Sequence, residues 1–299
     1  MNAAIRKLVV IGVGLIGGSF ALAMRRSGTT STVLGVGRGR ANLDTALRLG
    51  LVERALMLDD AWTSELRDAD LVLLATPVGQ MPSLFQAMAS HVGPRTVITD
   101  TGSTKQDVID AARRHLAGVF PRFVPGHPIA GTEHSGAAAA FEALFRDRQV
   151  VLTPQPETDA GALDLVSGCW ERCGASVREL DARRHDAILS AVSHLPHVLA
   201  FALVAELASR PDAGEHFELA GTGLRDATRL ASSHAGMWRD IALANRDALR
   251  RDIARYRDEL ARIDGLLERR DGDALSSLFS KAREARDAWI ASTSGSDDA

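Results

Sequence analysis

Four apolar residues run straight into a glycine-rich turn: Leu8-Val9-Val10-Ile11 is followed by Gly12-Val13-Gly14-Leu15-Ile16-Gly17-Gly18. An apolar run, glycines and then a helical stretch predict a strand, a tight turn and a helix, the order that a dinucleotide site requires. Gly12 lets the chain turn sharply. Gly14, without a Cβ, lets a pyrophosphate approach the backbone, and Gly17 lets the helix lie close on the strand. The first helical turn, with Leu15 and Ile16, presents free N–H groups and the positive end of the helix dipole to the phosphates. A GxGxxG pattern alone recurs by chance. This one follows a strand of buried type and stands at the head of the chain.

The pattern that follows repeats the alternation. A helix is expected over 15–26, ending at Ser27-Gly28, with a strand at 33–36 and a helix from about Ala41 to Leu49. Further strands are expected at 70–75, 96–100, 123–125, 149–153 and 176–180. Strands alternating with helices predict an α/β fold of Rossmann type, a doubly wound and mostly parallel sheet. Ligands on such sheets sit at the carboxyl ends of the strands, which draws attention to Thr76-Pro77, Thr101-Gly102-Ser103 and Gly126-His127-Pro128. From Asp181 onward alanine, leucine and arginine dominate and helical periodicity takes over. One long helix interrupted at Pro196 is expected over 182–210, then helices within 215–233, 236–269 and 272–291 with breaks at Gly221, Gly223, Gly236 and Gly272. The expected organisation is a dinucleotide-binding domain, 1–181, an all-α substrate and dimerisation domain, 182–291, and a disordered tail, 292–299. The apolar faces of the helical part are wider than one small bundle needs, which predicts a partner subunit.

Composition narrows the function. A net charge of −3 offers nothing to nucleic acid or to an anionic membrane. No apolar run approaches the ~20 residues that span a bilayer, and no signal peptide precedes the first strand, so a cytoplasmic chain is expected. Cys169 and Cys173, four apart in a helical pattern, are expected to be small buried hydrophobes rather than a redox or metal pair. A zinc site would lack ligands, and no metal is expected.

Several residues could carry chemistry. His127, between Gly126 and Pro128, is placed in a loop at the carboxyl edge of the sheet, where a catalytic histidine would stand. Ser103, on the adjacent loop, could donate a hydrogen bond to a substrate hydroxyl or orient His127. It could equally cap the next helix together with Asp107. His194 and His197 share a helical face in Ser193-His194-Leu195-Pro196-His197, and one of them facing a cleft is more plausible than a metal pair. Arg225 and Arg229, four apart after the Gly221–Gly223 turn, suit a bidentate grip on a carboxylate, although a solvated face is the usual fate of arginines. Trp238 is read as core in preference to a cleft wall. An NAD site places an acid about 20 residues past the glycines, but here stands Gly37, flanked onward by Arg38 and Arg40, with the next acid at Asp44. Absent acid and present guanidinium groups predict NADP, with NAD possible.

Together these stretches resemble the prephenate/arogenate (cyclohexadienyl) dehydrogenases of tyrosine biosynthesis. The likeness runs from about residue 8 to 240, through Gly12–Ser19, Asp100-Thr101-Gly102-Ser103-Thr104-Lys105, Gly126-His127-Pro128-Ile129-Ala130-Gly131-Thr132-Glu133, Ser193–His197, Arg225-Asp226-Ala227-Thr228-Arg229 and Met237-Trp238-Arg239-Asp240. The resemblance implies a nucleotide-binding domain joined to a helical dimerisation domain, with the active site between them, and an oxidative decarboxylation of a cyclohexadienyl alcohol. It implies that His127 takes the proton of the ring 4-hydroxyl as hydride leaves the same carbon, and that Ser103 supports both. Arg229 would bind the ring carboxylate, while His197 and Ser193 would line the pocket. Thr132, Glu133 and Arg225 would lie at its mouth or near the substrate side chain. Glu133 suits the ammonium of arogenate and Arg225 the keto acid of prephenate, so activity on both is expected. No appended regulatory domain is expected, so any inhibition by tyrosine would act at the active site. A β-hydroxyacid dehydrogenase is the rival enzyme, but its catalytic lysine would have to come from Lys7, Lys105 or Lys281, none expected on a helix facing the cleft. A non-catalytic dinucleotide sensor would not need His127, Ser103, His197 and Arg229 together.

Overall fold

The computed structural model of the chain describes residues 5–132 and 134–294. Strand β1, Ile5–Ile11, runs up the middle of a six-stranded sheet and turns at the glycines into helix α1, Leu15–Arg26. Strand β2, Thr30–Gly37, helix α2, Arg40–Arg48, and strand β3, Arg54–Met57, build one side of it. Strand β4, Leu71–Leu74, helix α3, Met81–Met88, strand β5, Val97–Asp100, helix α4, Gln106–His115, and the two-residue strand β6, Phe123–Val124, build the other. The order is β3-β2-β1-β4-β5-β6 and every pairing is parallel. Alternate residues of β1 feed two apolar layers, Leu8 and Val10 into one and Val9 and Ile11 into the other. Edge-to-face pairs anchor both layers: Trp170 on Phe20, with centroids 4.6 Å apart, in the first and Phe123 on Phe85 at 5.4 Å in the second.

Sequence periodicity missed two things here. Strand β3 is half exposed at the sheet's edge, so it lacks the apolar run that announces a strand. The last two expected strands, 149–153 and 176–180, also leave the main sheet, and a strand falls at the expected loop 126–128 to join them. Strand β7, Gly126–Pro128, β8, Gln149–Leu152, and β9, Ser176–Glu179, form a second sheet in which β7 runs antiparallel to β8. Pro125 separates β6 from β7 and lacks the N–H that an unbroken ladder would need. Helix α5, Ala160–Arg172, connects β8 to β9 and carries Cys169; both cysteines are free and buried, as expected, and burial raises the Cys169 thiol to about 12.

Helix α6, Ala182–Leu189, passes through a π-helical turn, Ser190–His194, into helix α7, Leu195–Ala208. The interruption expected at Pro196 therefore sits one turn earlier. Proline cannot donate to the carbonyl four residues before it, and the widened turn absorbs that missing bond. The helical run Ala182–Ala208 is long and apolar enough to cross a membrane by length and composition, with a mean hydropathy of 1.8, contrary to the expectation that no run approaches that length. Helices α8, Ala213–Glu218, α9, Thr222–Thr228, and α10, Ala235–Ala244, follow, with Arg229–Ser232 as a 3-10 turn between the last two. Gly221 precedes α9, but Gly223 and Gly236 lie inside helices, and an unforeseen break falls at Asn245.

By backbone contacts the chain divides into two compact units, 1–249 and 250–299. The expected boundary at 181/182 is not one of contact density, because residues 182–249 share a unit with the sheet. The second unit holds most of helix α11, Arg246–Glu268, and helix α12, Gly272–Ser294, with Arg270 in the left-handed region between them (φ 53°). Helix α12 continues through the first residues of the expected tail, and 295–299 lie outside the described residues.

Candidate active site

The glycine turn has the shape its spacing predicts. Gly12 adopts φ 99°, and a Cβ there would strike the Ala75 carbonyl oxygen. A Cβ on Gly17 would strike the carbonyl of Gly12, so α1 lies directly on the turn. Around Gly14 a Cβ would meet nothing within 4 Å, so the backbone there is open to a ligand. No side chain caps α1, whose first turn holds no acid. Its first internal bond runs from Gly18 N–H to the Gly14 carbonyl (2.8 Å), leaving the N–H groups of Leu15, Ile16 and Gly17 without helical acceptors. At the carboxyl end of β4, beside Gly12, the hydroxyl of Thr76 is buried and unpartnered among the described residues, and Pro77 is exposed. An open cradle, spare donors and an orphaned hydroxyl fit a dinucleotide pyrophosphate. Asn42 of α2 steadies the turn, donating to the Val13 carbonyl (2.7 Å) and accepting from Ala137 N–H (2.8 Å). Arg38 and Arg40 are exposed around Gly39, where α2 begins with no acid in its first turn.

His127 lies in strand β7 rather than in a loop, paired with Val151 of β8, which fixes its backbone more firmly than a loop would. Its Nδ1 is 2.9 Å from Nε2 of His185, whose Nδ1 is 2.8 Å from Oδ1 of Asp186. Burial above all holds the His127 pKa well below 6.5, and the nearby Lys105 cation lowers it further. His127 is therefore an unprotonated imidazole at neutral pH.

Asp186 also caps helix α4 from a distance. Its Oδ1 accepts from Lys105 N–H (2.8 Å) and its Oδ2 from Gln106 N–H (3.0 Å). The local cap expected from Ser103 with Asp107 does not form, because no side chain within the segment caps the N-terminal residue Lys105. Lys105 itself is fully buried, ion-paired with Asp100, and donates from Nζ to the Gly126 carbonyl (2.6 Å). Asp100 accepts from Gly102 N–H (2.7 Å) and Gly126 N–H (3.1 Å). Sequence expected Lys105 on no helix facing the cleft, and it lies instead at the N-cap of α4. The structure places it beside the site, where it ties the end of β5 to the strand that carries His127.

The helical side supplies the rest. Half-buried Ser103 sets its main chain beside His194, which is buried and held down to about 4 by that burial. Asn245, a residue that sequence gave no reason to single out, donates to the Asp186 carbonyl (2.7 Å) and lies 3.1 Å from His194 Nδ1. His197 lies 2.9 Å from the Ser193 carbonyl through Nδ1 and stacks on Trp238 at 3.5 Å and 20°, so Trp238 is a wall shared with the histidines as well as a half-buried core residue. Burial lowers the His197 pKa, and the charge of Arg229 lowers it further. Arg229 is exposed at the head of the 3-10 turn, and Arg225 is exposed one turn earlier on α9. Thr132 is exposed, accepts from His134 N–H (3.2 Å) and lines a surface hollow of about 450 Å³ with Phe141, Arg146 and Arg148. Glu133 lies outside the described residues.

His185 and Asp186 are, with Asn245, residues that sequence reasoning missed. The first two are adjacent, and only the fold brings them to β7 and to α4, 58 and 81 residues away in the chain.

Comparison with known proteins gives this geometry a family context. A sequence model described as the nucleotide-binding domain of prephenate dehydrogenase matches residues 20–179, and one described as its dimerization domain matches 181–281. The chain is 34% identical to the prephenate dehydrogenase of Bacillus subtilis, over 96% of this chain and 77% of that one. It is also 34% identical to the cyclohexadienyl dehydrogenase of Zymomonas mobilis, over 94% and 95%. Its fold is similar to the prephenate dehydrogenase of A. aeolicus, solved with hydroxyphenyl propionate and NAD+, with a TM-score of 0.88, 32% identity and coverage of 94% and 97%.

Proposed function

The chain belongs to the prephenate dehydrogenase family, and we propose on that footing that it oxidatively decarboxylates prephenate and arogenate with a nicotinamide dinucleotide. The observation that carries this is His127, a half-buried imidazole, neutral at pH 7, anchored in β7 beside the glycine turn's sheet. A cofactor held at the α1 N-terminus and Thr76 would supply the hydride acceptor. His127 takes the proton of the 4-hydroxyl at its free ring nitrogen, as the hydride leaves the carbon bearing that hydroxyl and the ring carboxylate departs as carbon dioxide. Aromatisation drives the step, so the chain's work is orientation and the handling of one proton. Ser103 supports the hydroxyl. Arg229 grips the ring carboxylate, with His197, Trp238 and Ser193 forming the wall behind it. Arg225, Thr132 and Glu133 flank the substrate side chain. The two family models meet between residues 179 and 181, which supports a functional boundary near 181 even though the compact unit runs on to 249.

The finer cofactor preference proposed is NADP. Arg38 and Arg40 stand where β2 ends, with no acid before Asp44 to repel a 2′-phosphate. The NAD+ complex of the A. aeolicus relative makes this a point to test. Initial rates are measured for the two substrates with each of the two cofactors, in wild type and in Arg38→Ala. Both substrates are expected to turn over, kcat/KM is expected to favour NADP, and Arg38→Ala should lower that ratio by about tenfold or more. No reduction with either substrate would remove the proposed reaction. An unchanged ratio in Arg38→Ala would remove the arginine's role.

A further inference from the structure

The contacts of His127 contain more than an acceptor for a proton. Asp186 has oxygens only, and these already accept the N–H groups of Lys105 and Gln106 at the positive end of α4. A carboxylate cannot donate, so Nδ1 of His185 must carry the proton of their 2.8 Å bond. A neutral His185 then has a bare lone pair at Nε2, and this atom faces Nδ1 of His127 at 2.9 Å. The proton of that second bond must come from His127. One proton per ring, placed by the carboxylate at the far end, leaves Nε2 of His127 without hydrogen.

Given the dehydrogenase reaction proposed above, on which this rests, we infer that His185 and Asp186 are positioning residues that hold His127 in the Nδ1–H tautomer, with Nε2 as the base that receives the substrate proton. The site is built for this. His185 is fully buried, Asp186 nearly so, and Asn245 pins the main chain of Asp186 through its carbonyl. Asp181 caps α6 by accepting Arg184 N–H (3.0 Å), which fixes the helix register that presents the two neighbours together. When Nε2 takes its proton, the resulting imidazolium donates through His185 toward a carboxylate, an arrangement that orients a general base and offsets its charge in other enzymes. The depressed pKa of His127 agrees, since a neutral ring is what the chain of bonds requires.

The reversal of one hydrogen bond tests it. An amide at Asp186→Asn can donate to Nδ1 of His185, which turns both rings to the opposite tautomer and places hydrogen on Nε2 of His127. Turnover should fall by ~10²–10⁴ while KM for the substrate and affinity for the cofactor stay within about threefold. His185→Leu should behave alike. His185→Gln, whose carbonyl can accept from His127 while its amide donates to Asp186, should recover about tenfold over His185→Leu. In a His127→Ala background, which itself loses ~10²–10⁴ in turnover, Asp186→Asn should cost less than about twofold more, because the pair acts only through that ring. An equal loss in both backgrounds would show a purely structural role and overturn the inference, as would near wild-type turnover in Asp186→Asn. Nitrogen shifts in ¹⁵N-histidine-labelled wild type, read without substrate, should show His127 protonated at Nδ1, and a His127 protonated at Nε2 would also overturn it. If His127→Ala itself retains turnover, the failure lies with the proposed reaction and not with the relay, whose tautomer the nitrogen shifts still report.

Discussion

Arg229 shows how a single charge can be placed without a partner on its own helix. It stands exposed where α9 gives way to a 3-10 turn, and its charge adds to the burial that lowers the His197 pKa. If it grips a desolvated carboxylate, Arg229→Ala should weaken substrate binding by about 2–5 kcal/mol, mainly through KM, with cofactor affinity unchanged. The His197 pKa should rise at the same time, which titration by NMR would follow. Unaltered KM would return Arg229 to a solvated surface role. His194 makes a second prediction. Its folded pKa of about 4 lies below the ~6.5 of an unfolded chain. Between those values the unfolded chain binds more protons, so stability should rise with pH across that window and be lost on acidification, by at most on the order of 3 kcal/mol. His127, shifted in the same direction, adds to the slope. Urea midpoints at pH 6.5 and pH 4.5 should differ less in His194→Gln than in wild type. An equal difference would exclude His194 as a source.

At the scale of elements, the two middle glycines of the turn separate folding from binding. Gly17→Ala drives a Cβ into the Gly12 carbonyl and should push α1 off the sheet, costing about 1–3 kcal/mol together with cofactor binding. Gly14→Ala meets nothing within 4 Å, so stability should change by less than about 1 kcal/mol. The added methyl would instead occupy the space a pyrophosphate needs, and cofactor affinity should fall by about tenfold or more. Thermal melts beside cofactor titrations distinguish the two, and a Gly14→Ala protein with wild-type affinity would move the phosphates elsewhere. The π turn at Ser190–His194 is a second such element. It inserts one residue's worth of rotation ahead of Pro196, so His194 turns inward to Asn245 while His197 meets Trp238.

For the whole molecule, helix α7 is the open question of partnership. It is apolar on nearly every side, yet among its residues only Ala200 is buried within the chain, and Leu203 is exposed. Leu260, Leu267 and Phe279 are exposed on the two long helices of the second unit. The family model covering 181–281 is described as a dimerization domain, and a homodimer through 182–291 is the proposed assembly. Sedimentation at micromolar concentration should give twice the 31.9 kDa of one chain. A species of 31.9 kDa would contradict it. A dimer would also account for the hydropathy of Ala182–Ala208 without a bilayer, since that run carries His185, Asp186 and His194 inside the site.

The local chemistry of the chain determined most of the first half of the fold. The apolar run ending in Gly12, Gly14 and Gly17 specifies strand, turn and helix because each glycine answers a steric demand within a few residues, and α1 falls where periodicity put it. His127, Ser103, His197 and Arg229 could be singled out as candidates because each sits in a short stretch with a pattern of its own. Long-range placement was not legible. Whether a strand joins the main sheet or a second one depends on pairing partners: β8 and β9 look from their residues like continuations of the first, and β7 looks like a loop. The cap of α4 is supplied by Asp186, 81 residues away from Lys105, where local rules could offer only Ser103 and Asp107. The orientation of His127 depends on a histidine and an aspartate with no pattern around them. Hydrogen bonds between distant segments leave no periodic trace in a sequence, because the chain needs only one residue of the right type at each end and the fold sets the distance between them.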